Sequence, residues 1–170
     1  MNALALTLRR AYVAVMMQIV GRGLVAASRC DAVMRELLAA LPTGYRIEMT
    51  VAPAGPGFVV QALASGRLAL ARPGERSSDL VIRFKHLAHA FLVLSFQEGT
   101  VRAFANDRIV ADGDLAYATR LVRCLNRMES IILPGFVARR AVKRHAPPPL
   151  ATRLILALRI YAGVAASFLG

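Results

Sequence analysis

At Pro42-Thr43-Gly44 the spacing of apolar residues changes period, and no other feature of the chain constrains its fold as strongly. Before this point, residues 3–40 carry apolar side chains at helical spacing. A break is expected at Gly21-Arg22-Gly23, and Asp31 stands where it can cap a second short helix over 32–41. After it, Tyr45, Ile47, Met49 and Val51 alternate with Arg46, Glu48 and Thr50, the pattern of a half-buried strand. Strands over 58–64 and 67–71 follow, separated by the turns Pro53-Ala54-Gly55-Pro56-Gly57 and Ser65-Gly66. Connections this short make the three strands antiparallel neighbours. Helices first and a meander second place the chain in the α+β class.

The remaining pattern adds strands at 79–84 and 108–111 and a helix over 85–95, with Leu87, Phe91 and Leu94 on one side. Residues 99–107 read as a short connection. Asp112-Gly113-Asp114 is a sharp turn into a long helix. There Leu121, Leu125, Met128 and Ile132 form an apolar stripe, and Arg120, Arg123 and Arg127 line another face. Pro134-Gly135 interrupts it, a basic stretch runs on to Arg144, and the hinge Ala146-Pro147-Pro148-Pro149 precedes a final helix over 150–168. Leu150, Leu154, Leu158, Tyr161 and Phe168 share one side of that helix, which suits docking to a surface or partner. Three segments result: a helical arm over 1–41, a central domain over 42–133, and a basic, proline-hinged arm over 134–170.

Charge separates these segments. The chain is 56% apolar, with a mean hydropathy of +0.50, and carries a net charge of +12. Residues 1–30 and 131–170 contain ten Lys and Arg and no acid, so the ends hold ten of the twelve net charges. Their arginines are interleaved with Leu, Val, Ile, Ala and Met instead of stacking aromatics, which favours an anionic bilayer over nucleic acid. The run over 11–20 falls short of the roughly 20 residues that span a bilayer. It is read as a buried or interfacial helix and not as a signal peptide.

Residues 79–125 resemble the bacterial branch of the sterol carrier protein type-two family. Asp79-Leu80-Val81-Ile82 is similar to the family's Asp-Val-x-Ile strand, and Leu87, Phe91 and Leu94 match its following helix. Phe104, Arg108-Ile109-Val110 and Gly113-Asp114 resemble its Phe-x-x-Gly-x-Leu-x-Ile-x-Gly-Asp segment, although Ala105-Asn106-Asp107 stands where glycine is commoner. Leu121 and Leu125 continue into its C-terminal helix, and the match covers about half the chain. The resemblance implies a five-stranded, mostly antiparallel sheet covered by helices around an apolar cavity, with extra terminal helices here. It also implies binding of a sterol, acyl or isoprenoid lipid without chemical change, closest to the subgroup that assists ubiquinone biosynthesis.

The lipid-lining candidates are Phe84, Leu87, Phe91, Leu94, Phe96, Phe104, Ile109, Leu121, Leu125 and Met128. Those for contact with an anionic membrane are Arg120, Arg123, Arg127, Arg139, Arg140, Lys143 and Arg144. Catalytic signatures are missing from the sequence: it has no Gly-x-Ser-x-Gly elbow, no phosphate loop, and no third ligand beside His86 and His89. Cys30 and Cys124 fit no metal or redox spacing and suit a reducing cytoplasm. The expectation is a non-enzymatic, cofactor-free lipid handler in the cytoplasm, peripheral to the inner membrane. Proteins of a lipid-biosynthesis complex, or a second copy of the chain, would be its partners. The alternative is a scaffold for a membrane enzyme complex, with no ligand of its own.

Overall fold

A computed structural model of the chain describes residues 3–133 and 149–169. Five strands form one sheet in the order β3-β2-β1-β4-β5: β1 Arg46–Val51, β2 Gly57–Ala62, β3 Leu68–Ala71, β4 Leu80–Phe84 and β5 Ile109–Asp112. The meander expected over 45–71 is present and antiparallel. β4 pairs parallel with β1, Ile47 opposite Leu80 and Met49 opposite Ile82, and β5 returns antiparallel on β4. The sheet is therefore mixed and mostly antiparallel, as the α+β reading requires.

Period-two spacing puts Ile47, Met49, Phe58, Val60, Leu80, Ile82, Phe84 and Ile109 on one face, where all are buried. Helices cover this face: α1 Ala3–Cys30, α2 Ala32–Leu38, α3 Leu87–Leu94, α4 Thr100–Ala105 and α5 Leu115–Ile132. The α5 stripe was legible in the sequence: Leu121, Leu125 and Met128 are buried, and Asp114 caps the helix by accepting a 2.7 Å bond from the Ala116 amide.

Four sequence expectations are corrected. α1 runs unbroken through Gly21-Arg22-Gly23, because both glycines are contact points. A Cβ on Gly21 would stand 2.8 Å from Cγ of Phe58, and one on Gly23 2.9 Å from Sδ of Met128. α2 begins at its Asp31 cap as expected but ends at Leu38, three residues early. Residues 100–105, expected to be a connection, form α4. Arg46, expected to point to solvent, is 4% exposed: its Nη2 donates to the Arg72 carbonyl at 2.7 Å, under the loop that carries Glu75.

The last described helix, α6 Leu150–Leu169, lies along α1 and α5 and buries Leu156 and Ile160. Arg153 donates to the carbonyls of Ile131 and Leu133, tying α6 to the end of α5. Gly163 lets the two helices close, since a Cβ there would lie 3.0 Å from that of Ala26. The face containing Leu150, Leu154, Leu158, Tyr161 and Phe168 points outward, each of these more than half exposed.

Candidate functional site

A small apolar space lies between the sheet and α3, α4 and α5. Its floor is Met49, Ile82, Phe84 and Ile109 from three strands, and Val20 of α1 closes one side. Val93 and Leu94 come from α3, Thr100 and Phe104 from α4, and Val122, Leu125 and Glu129 from α5. The space measures about 30 Å3, room for about one water, so the walls are nearly in contact.

Of the ten sequence-predicted lining residues, the structure brings Phe84, Leu94, Phe104, Ile109 and Leu125 together here. The other five lie elsewhere. Leu121 and Met128 are filled core, Met128 being seated on Gly23. Leu87 is half-buried against the core edge. Phe91 packs edge-on against Tyr12, with the Arg9 guanidinium over its ring, so α1 covers it. Phe96 sits at the turn after α3 with a φ of +59°. Sequence reasoning missed Val20, because α1 read as an arm, and Thr100, because α4 read as a loop. It also missed Glu129, which interrupts the apolar side of α5.

Glu129 is the anomaly in this lining. Burial raises its carboxyl from the ordinary 4.5 to about 7, and among the described residues no other titratable group borders the space. A carboxyl whose folded value is raised contributes its full stability below pH 4.5 and loses it as pH rises through 7. Glu129→Gln should therefore match the parent in acid and exceed it by about 3 kcal/mol at pH 8. Urea unfolding at pH 4.5 and pH 8 measures this, and a constant difference between the two would refute it.

A second concavity, of about 420 Å3, lies between α1, β3 and α6. Arg22, Arg29 and Arg159 border it, beside Cys30 and Ser167, with no acid among its described lining residues. Arg22 also stacks on Phe168, 4.2 Å from its ring centre. These three arginines are spread over both ends of the sequence, and only the α1–α6 packing brings them together.

The arginines chosen from the sequence fare differently. Arg127 donates through Nε to Asp31 at 2.9 Å, a largely buried ion pair, whereas Arg123 is exposed and Arg120 half-buried. Arg139, Arg140, Lys143 and Arg144 lie outside the described residues. His86 and His89 meet edge-to-face at 5.1 Å, and among the described residues they gather no third metal ligand. Burial, with Arg108 nearby, lowers the His89 pKa. Burial pushes the Cys124 thiol up to about 12, leaving it unreactive, and both cysteines are free.

No protein-family model and no curated protein matches the chain. Solved structures do. A conserved hypothetical protein of Thermus thermophilus, described as a candidate sterol carrier protein, is 14% identical with a TM-score of 0.49; the match covers 73% of this chain and 87% of that one. Sterol carrier protein domain 2 of Helicoverpa armigera is 16% identical with a TM-score of 0.45, over 66% and 84% of the two chains. A ubiquinone synthesis protein, UbiJ-SCP2, is 9% identical with a TM-score of 0.38, over 61% and 95%. Each of these three structures is described as a sterol carrier protein or domain, the first of them as a candidate.

Proposed function

We propose that the chain binds an apolar lipid in the cavity between the sheet and α3–α5 and carries it without chemical change. The observation that carries this reading is the lining: ten of its twelve described residues are apolar, and they converge from three strands and four helices. The sequence resemblance to sterol carrier proteins supports it and makes an isoprenoid of ubiquinone synthesis the finer assignment. The closed cavity is far smaller than the several hundred Å3 that a lipid chain needs, so loading requires a wall to move. α4 is the wall best suited to move: it has six residues, lacks a side-chain cap, and packs mainly on α3 and β5. Each methylene admitted contributes about 0.8 kcal/mol, which can offset the loss of those contacts. Native mass spectrometry of the purified chain tests the reading, with about one lipid per chain expected. Protein free of lipid, and refusing added lipid, would overturn it.

The membrane is the proposed source of the lipid, supported by the arginine-lined groove and the outward apolar face of α6. Replacing Arg22, Arg29 and Arg159 together with Gln should weaken flotation with anionic vesicles about 100-fold at low salt, each charge contributing about 1 kcal/mol. High salt should weaken the parent similarly. Equal flotation with neutral vesicles would rule the charges out. The outward face of α6 also favours a second reading, a scaffold docked to a membrane enzyme. Binding of partners by lipid-free protein would support that reading.

A further inference from the structure

Among the described residues the polar content of the cavity is confined to two, the Thr100 hydroxyl and the Glu129 carboxyl, in a lining otherwise of hydrocarbon. Among the described residues none gives the Glu129 carboxylate a hydrogen bond or an ion pair, although five ion pairs form elsewhere in the domain. The carboxyl is only partly buried, so a ligand that displaces water from it must replace the lost hydrogen bonds. Helix propensity does not require a glutamate here, since Leu or Gln would serve α5 as well. A ligand entering the cavity would meet Thr100 and Glu129 with its polar head.

The chemistry of the two groups restricts that ligand. A carboxylate or phosphate head brought beside Glu129 meets a like charge in a poorly solvated space, so acidic lipids are repelled. A hydroxyl can donate to the ionised carboxyl, or accept from the protonated one, and Thr100 can serve the same oxygen. Held near 7 by burial, the carboxyl is available in both forms at neutral pH. A hydrocarbon leaves both groups unsatisfied.

We propose that Glu129 is the specificity-determining residue of this cavity, selecting long-chain or isoprenoid lipids with a neutral hydroxyl over acids and hydrocarbons of the same length. This rests on the lipid-binding reading, and the test separates the two. Three twenty-carbon probes share one branched chain: geranylgeraniol, geranylgeranoic acid and the corresponding hydrocarbon. Binding to the full chain is measured at pH 7.5 by native mass spectrometry and by competition between pairs of probes.

The parent should prefer the alcohol over the acid, and over the hydrocarbon, by at least about tenfold, the usual factor for one satisfied polar contact in a buried site. Glu129→Gln, which keeps size and polarity but removes the charge, should retain the alcohol within about threefold and bring the acid to within about threefold of it. Glu129→Leu should bind alcohol and hydrocarbon alike. Hydrocarbon binding serves as the control for folding in both variants. Preferences unchanged by either variant overturn the role of Glu129. Equal binding of all three probes to the parent also overturns it and leaves the carrier reading standing. Failure of the parent to bind any probe overturns the carrier reading and this inference with it.

Discussion

Asp31→Ala should lower the unfolding free energy by about 3–5 kcal/mol, the range for breaking a buried ion pair from one side. The carboxylate of Asp31 has two jobs. One oxygen accepts from the Val33 amide at 3.2 Å and caps α2; the other accepts from Nε of Arg127 at 2.9 Å. Their side chains are 4% and 13% exposed, so alanine leaves a guanidinium on α5 with little water to replace its partner. The cap accounts for about 1 kcal/mol of the loss and the stranded charge for the rest. Asp31→Asn, which retains an acceptor for the cap, should fall between. Adding Arg127→Met to Asp31→Ala should recover part of the loss, because the stranded charge goes. Urea melts of the four proteins check the ordering, and an unchanged midpoint in Asp31→Ala would mean that Arg127 rehydrates freely.

Gly66→Ala is expected to be nearly as damaging. The residue sits between β2 and β3 at a φ of +69°, where an L side chain costs about 1–2 kcal/mol. A Cβ there would also stand 2.0 Å from the carbonyl oxygen of Arg35 and 3.0 Å from the amide of Ala39. Both are backbone atoms of the α2 segment and cannot swing aside as a side chain could. A combined loss of about 3 kcal/mol should drop Tm by roughly 6–12 °C, read by circular dichroism. Gly74, also at positive φ but with nothing within 4 Å of a Cβ, is the control, and its alanine variant should lose only the conformational part. Equal losses at the two positions would show that the contact with α2 contributes nothing.

Comparing the chain with its fold shows which physical signals a sequence carries. The meander and α5 were legible because a period of two or 3.6 repeats over enough residues to define a face. α4 was not: Thr100–Ala105 makes under two turns, and its Gly99 cap supplies no side-chain bond. Gly21 and Gly23 misled because glycine costs helix stability locally, whereas here its absent side chain lets Phe58 and Met128 approach. Arg46 broke the alternation because a loop 26 residues on supplies its acceptor, a non-local fact. Phe84, Ile109 and Leu125 follow from periodicity, but Phe91 satisfies the same pattern and is covered by Tyr12. Periodicity says that a residue faces inward, and only packing says what it meets there. Glu129 could have been noticed as the acid that interrupts the apolar side of α5.

The parallel pairing of β1 with β4 bears on how the chain assembles in time. β1 reaches β2 across five residues, 52–56, but meets β4 only after the 28 residues 52–79. On loop-closure entropy alone the second pairing costs about 1.5 kcal/mol more than the first. The meander therefore forms early and β4 docks late, so the most central strand of the finished sheet spends part of folding as a bare edge. The final edges, β3 and β5, are four residues each, too short to template another chain well. Aggregation during refolding is thus governed by the lifetime of an edge that the native protein does not possess.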